Sequence, residues 1–170
     1  MDEFSHLVLG ESRDPFDLDG LENHRQVALR MVEQAQRSVD IMSRHLDRRL
    51  FDQTEFVGEL RRLALANRRA LIRLLIIDTG PVIRGDHRLV TLAKRLPSFF
   101  EMRGPGRDHR NHLSSHIVVD GTGSIFRQHG DLYLGEVCFH DTVRASELTR
   151  RFQKIWDHGN QDVNLRQMRI

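Results

Sequence analysis

The sequence is short of several things, and each shortage excludes a class of protein. It has one cysteine, Cys138, in 170 residues. No disulfide can form within the chain, so a reducing cytoplasm is the expected location. A single cysteine also excludes the paired-cysteine pattern of a structural zinc site, and no metal or other cofactor is assigned. One tryptophan and one tyrosine leave little aromatic surface on which single-stranded bases could stack. No run approaches the ~18 apolar residues of a membrane span. The opening residues MDEFSHLVLGESRDPFDLDG are acidic and lack the basic start and apolar stretch of a secretory signal.

Lysine is nearly absent as well. Of 26 basic residues only Lys94 and Lys154 are lysines, and the other 24 are arginine. A GC-rich genome is enough to produce that bias, but its physical effect does not depend on its origin. Arginine presents a planar fork of donors that matches phosphate geometry. The charges are also uneven along the chain. Residues 1–20 hold six acids against Arg13 alone, which leaves 25 basic and 18 acidic groups, a net of +7, in the rest. The organisation read from this is an acidic N-terminal arm over residues 1–20, then one domain over 21–170 ending in a short tail. A basic body with an acidic arm suits an anionic partner, with the arm competing for the same surface.

Hydrophobic periodicity predicts the elements. Ala28, Met31, Val32, Ala35 and Val39 fall at helical spacing, and Phe56, Leu60, Leu63 and Ala64 mark a second helix. Asp52, three residues before Glu55, reads as a capping-box start for that helix. Leu89, Leu92, Ala93 and Leu96 give a third, stopped by Pro97. The last helix follows Asp141 as its cap and turns Leu148, Phe152, Ile155 and Trp156 inward. Strands are predicted at VDIMS, LIRLLIID, FFEMR, SSHIVVDG, SIFRQ and LYLGEVCFHD, with one more at HLVLG inside the arm. LIRLLIID is apolar almost throughout, as a central strand covered on both faces should be. Helices alternate with strands early and strands cluster late, so the fold class is α/β, a mixed β-sheet flanked by helices.

This order resembles one half-domain of the phospholipase D superfamily, over roughly residues 21–158. The matching pieces are the opening helix with VDIMS, the arginine-rich helix leading into RRALIRLLIID, the IVVDG strand and turn, and the closing GEVCFHDTVRASELTRRFQKIW. In that last segment Glu136, Phe152 and Trp156 stand where the superfamily has an acid, a phenylalanine and a tryptophan. The stretch RGDHRLVTLAKRLPSFFEMR is similar to a bacterial family of unknown function sharing this fold. The superfamily's motif is histidine, any residue, lysine, four residues, aspartate, six residues, then Gly-Ser. Anchored on Asp120, the nucleophilic histidine falls on Leu113, the phosphate-binding lysine on Ser115, and Gly-Ser on Arg127 and Gln128. Only the aspartate is kept. Leucine can neither attack phosphorus nor protonate a leaving group.

His112 and His116 are the remaining catalytic candidates, with Asp120. Strand side chains alternate faces, and His116 has the parity opposite to Leu113 and Ser115. It should point away from the motif side, and His112 shares that parity at the loop edge. Asp120 before Gly121 also reads simply as a turn residue. The loop EMRGPGRDHRNH offers a binding alternative: Arg103, Arg107 and Arg110 precede the degenerate strand, Arg127 lies at the lost Gly-Ser position, and Gly104 and Gly106 let backbone amides approach an anion. The first expectation is therefore a non-catalytic phospholipase D-like domain that binds a phosphate-bearing ligand such as nucleic acid through Arg103, Arg107, Arg110 and Arg127. One alternative is a diverged phosphodiesterase using His112 or His116 with Asp120. Another is a protein-interaction module whose basic face meets an acidic protein. Single-half relatives pair as dimers, so the resemblance also implies a homodimer.

Overall fold

A computed structural model describes residues 3–106 and 109–159 of the chain. Its centre is a seven-stranded mixed sheet in the order β1-β7-β6-β5-β2-β3-β4. The strands are β1 (Phe16–Asp19), β2 (Ser38–Ser43), β3 (Leu71–Ile76), β4 (Phe100–Arg103), β5 (Ser115–Val119), β6 (Gly123–Arg127) and β7 (Leu134–Cys138). The helices are α1 (Leu21–Val32), α2 (Arg48–Phe51), α3 (Thr54–Ala66), α4 (Gly80–Ile83), α5 (Arg88–Arg95) and α6 (Thr142–His158). β2, β3 and β4 run parallel, and β5 returns antiparallel against β2. The antiparallel meander β5-β6-β7 then carries the sheet to β1 at its far edge.

Alternation along each strand feeds two separate cores. Val39, Ile41, Ile72, Leu74, Ile117 and Val119 face α1, α3 and α5, whose buried stripes include Val27, Met31, Leu60, Leu63 and Leu89. The opposite parity, Met42 and Leu75, meets Phe152, Ile155 and Trp156 of α6, while Val118 meets Ala145 and Leu148. LIRLLIID is covered on both faces, which is why it needs apolar residues at both parities. Its exception is Arg73, on the α6 side. There the guanidinium makes two 2.8 Å bonds to Asp40 of the neighbouring strand, one of 2.7 Å to Gln153 of α6, and lies over the Phe152 ring. A largely buried charge survives there because Nε and both terminal nitrogens each find an acceptor.

Several elements differ from their predicted places. The early strand is FDLD at 16–19, not HLVLG. Phe4 and Leu7 instead enter the α1 side of the core, and Leu9 packs against it. The acidic segment is thus woven into the body. α1 ends at Val32, short of the predicted stripe; Ala35 packs as a buried turn residue. α3 has no side-chain cap at its start. Asp52 is spent elsewhere: Oδ1 accepts from Arg88 N–H and Oδ2 from Arg48. Asp141 does cap α6, accepting from Arg144 N–H at 2.9 Å. No helix among the described residues is long and apolar enough to cross a membrane.

Because β2, β3, β4 and β6 point one way and β5 and β7 the other, one edge of the sheet gathers Ser43, Arg103, Ser115 and Arg127. The loops after β2, β3, β4 and β6 all leave from this edge. In open α/β sheets ligands bind at the carboxyl ends of the parallel strands, beside the point where strand direction changes. Here that point lies between β5 and β2.

Candidate functional site

At this edge the chain leaves β2 through Ser43-Arg44-His45-Leu46-Asp47-Arg48-Arg49. Leu46 adopts φ 53, a costly conformation for a leucine. It is held because its side chain is fully buried, its N–H donates to Ser43 Oγ, and its carbonyl accepts from His87 Nε2 at 2.9 Å. His87 Nδ1 in turn accepts from Leu89 N–H. Both ring nitrogens are used by neutral imidazole, and burial holds its pKa below the usual 6.5. The tight turn sets Asp47 at the head of α2. One carboxylate oxygen caps Arg49 N–H at 2.9 Å and the other accepts from Tyr133 OH at 2.6 Å.

The result is a cleft of about 410 Å³ whose lining includes Arg44, His45, Asp47, Arg48, Arg49 and Tyr133. Asp131 also borders it, and Asp78 lies 3.6 Å from His45. Asp47 is committed to Tyr133 and the α2 cap. Arg48 is held by Asp52 and the Asp86 carbonyl. The Arg44 guanidinium has no hydrogen-bond or ion-pair partner among the described residues. A half-buried, unpaired guanidinium in a cleft beside other arginines is a group waiting for an anion.

Beneath the cleft lies a buried polar layer. Arg127 is 3% exposed; it donates to the Gly130 and Leu132 carbonyls and to Ser115 Oγ, and lies over the Tyr133 ring. Burial lowers its pKa, against the pull of Asp47. Ser115 is buried as well, and its hydroxyl donates to the Met42 carbonyl at 2.9 Å. His24 of α1 donates Nδ1–H to the Gly20 carbonyl, so in the neutral ring Nε2 is a bare acceptor, buried and unpartnered among the described residues. Burial lowers its pKa too.

The three catalytic candidates do not converge. His116 points to the α6 face, 2% exposed and 6.1 Å from the Phe152 ring, with neither ring nitrogen bonded. Burial, with Arg151 and Arg144 nearby, drives its pKa from 6.5 to about 3. His112 lies in the connection before β5, its Nε2 3.4 Å from His109 Nδ1; His109 also packs against His158. Burial, with His109 and Lys154 nearby, lowers the His112 pKa. Among the described residues no group of three such side chains is arranged to hold a metal ion. Asp120 sits at the other end of β5. Its carboxylate accepts from the backbone N–H groups of Gln36, Arg37 and Ser38, at 2.9, 2.8 and 2.9 Å. It ties the α1–β2 turn to the β5–β6 turn.

The four predicted binding arginines also part company. Arg103 stacks over Trp156 at 4.6 Å and donates to its carbonyl. Arg110 is exposed, Arg127 is buried, and Arg107 lies outside the described residues. Leu113, 49% exposed, is joined to the cleft wall by the bond from Gly130 N–H to its carbonyl. The residues the sequence reading passed over are Arg44, His45, Arg48 and Arg49. Their signal was present: RHLDRR, three arginines and a histidine directly after a predicted strand. His24 carried no local signal.

A family described as a domain of unknown function (DUF7931) matches residues 20–168. The chain belongs to that family. No curated protein matches it significantly. Among solved structures it is similar to TrmBL2, described as an archaeal chromatin protein with a novel mode of DNA binding, at TM-score 0.63 and 14% identity. That match covers 89% of this chain and 54% of TrmBL2, so the chain spans about half of that protein. It is similar to Nuc from Salmonella typhimurium, a phospholipase D family member, at TM-score 0.60 and 14% identity, over 88% of this chain and 99% of Nuc. NucT from Helicobacter pylori gives 0.58 and 10% over 88% and 98%. The domain therefore has a phospholipase D-like fold, with the mixed sheet and flanking helices expected of it.

Proposed function

We propose that this domain binds a phosphate-bearing ligand, nucleic acid in particular, and does not transfer its phosphoryl group. The observation that carries the reading is the cleft at the carboxyl ends of β2 and β3, where Arg44, Arg48 and Arg49 surround about 410 Å³ of open space. Arg44 supplies an unspent guanidinium and Arg49 an exposed one, while buried Arg127 adds positive potential from below. Arg110, exposed in the connection that reaches the cleft wall at Leu113, is assigned to the rim.

Support for binding without chemistry comes from the positions that would have to react. Leu113 and Ser115 stand at the nucleophile and lysine positions, and the Ser115 hydroxyl is already bonded to a main-chain carbonyl. His116 is sealed under α6, and Asp120 is consumed by three backbone amides. TrmBL2, of the same fold, is described as binding DNA, which agrees with a nucleic-acid ligand.

The test is fluorescence anisotropy with a labelled oligonucleotide at two salt concentrations. Affinity should fall steeply as salt rises, and the R44A/R49A double variant should bind about tenfold or more weakly. Undiminished binding by that variant refutes the cleft. Hydrolysis of a generic phosphodiester that is lost in His116→Ala or His112→Ala refutes the non-catalytic half.

A further inference from the structure

A second basic surface adjoins the cleft, in the groove between α3 and α5. This groove of about 650 Å³ has Arg61 on one wall and Arg88 and Arg95 on the other. All three arginines are exposed. None of their guanidinium groups has a hydrogen-bond or ion-pair partner among the described residues. That is not the habit of the helix. Arg62, the next residue, bonds Glu59 and the carbonyls of Val32, Glu33 and Ala35 at and just past the end of α1. α3 thus places one arginine in structural service and leaves its neighbour open to the groove.

The groove and the cleft meet at one ridge. Arg48, which lines the cleft, donates to the Asp52 carboxylate and the Asp86 carbonyl, and Asp52 and Asp86 both line the groove. They are the two carboxylates there, and Asp52 is already neutralised by Arg48 and by the Arg88 N–H at the start of α5. Arg44, Arg48 and Arg49 of the cleft and Arg61, Arg88 and Arg95 of the groove, on either side of that ridge, make up a basic track.

We infer that this track is a docking surface for the backbone of a duplex nucleic acid. The inference rests on the proposed function and adds the ligand's form. Arg88 and Arg95 open and close α5, so at 1.5 Å per residue they lie roughly 10 Å apart along its axis, farther than one phosphate spans. With the cleft included, the track needs a ligand bearing several successive phosphates. It offers no platform for unstacked bases. The exposed large apolar side chains are Leu65, Leu113, Leu132, Leu134 and Val143, with no aromatic among the described residues. Tyr133 is tied to Asp47 and lies under Arg127. Phosphate contacts without stacking are how a duplex backbone is held, whereas single strands are gripped through aromatic faces.

The experiment compares R61A/R95A with R44A/R49A on the full chain, using labelled DNA hairpins with stems of about 20 and about 6 base pairs and an unpaired strand. For the long hairpin, R61A/R95A should weaken binding about tenfold and flatten the plot of log affinity against log salt by about two, near 0.9 per lost contact. It should leave the short hairpin unchanged, while R44A/R49A weakens both. If R61A/R95A leaves the long hairpin's affinity and salt slope unaltered while R44A/R49A still weakens it, the track is wrong and the cleft stands. If neither variant has an effect, the proposed function falls with it. An unpaired strand bound as tightly as the long hairpin overturns the duplex assignment.

Discussion

Replacing Asp120 by alanine separates a structural aspartate from a functional one. Its carboxylate accepts three backbone N–H groups, from Gln36, Arg37 and Ser38, where the α1–β2 and β5–β6 turns meet. Hydrogen bonds to a charged acceptor each contribute about 1.5–3 kcal/mol when shielded. Gln36 and Arg37 are exposed, so water replaces much of what they lose, and the three together are discounted to about 2 kcal/mol. Asp120 also holds φ 54, which aspartate, asparagine and glycine tolerate and alanine does not, adding about 1 kcal/mol. Asp120→Ala should therefore cost about 3 kcal/mol, and Asp120→Gly about 2, since glycine loses the bonds but not the conformation. For a domain of this size the alanine loss lowers Tm by roughly 6–12 °C. Thermal and urea unfolding give the stabilities, and anisotropy gives the binding. Alanine and wild-type proteins of equal stability would refute the reasoning, and so would oligonucleotide binding lost while stability is kept.

His116 makes a prediction about acid. Folded His116 titrates near 3 while the unfolded chain titrates near 6.5, so below 6.5 the unfolded state binds the extra proton. Stability is kept above about pH 6.5 and lost as pH falls toward 3, by about 1.4 kcal/mol per unit from this group. His116→Leu should lessen that slope by this amount between pH 6 and 4 in urea unfolding, and an unchanged slope would contradict the buried placement. At neutral pH the same variant should be as stable as wild type or more so, because it removes two unsatisfied polar atoms. Asp40→Ala should cost about 3 kcal/mol by leaving Arg73 without its carboxylate. The pair Asp40→Leu with Arg73→Met should recover most of that loss; a double variant as unstable as the single would show that the ion pair itself is needed.

The sequence alone carried the elements and the parity of β5. Apolar runs and helical spacings are local properties, so the stretches predicted as β2 to β7 contain strands, and α3, α5 and α6 lie within their predicted segments. Alternation of side chains needs no tertiary knowledge, which is why His116 could be turned away from Ser115 in advance. The fate of individual polar residues could not be read this way, because it depends on what arrives from elsewhere in the chain. Asp52 looked like a cap for α3 until α5 brought Arg88 to it. Arg127 looked like a cleft arginine, but the β6–β7 turn folds back so that Gly130 and Leu132 carbonyls enclose it. Arg103 is claimed by Trp156, some fifty residues later in the chain. The segment RHLDRR became a cleft wall only because Leu46 accepts a left-handed turn, a strain repaid by burial and by the bond from His87. Sequence fixes which residues can bind a phosphate; packing decides which of them are still free to do so.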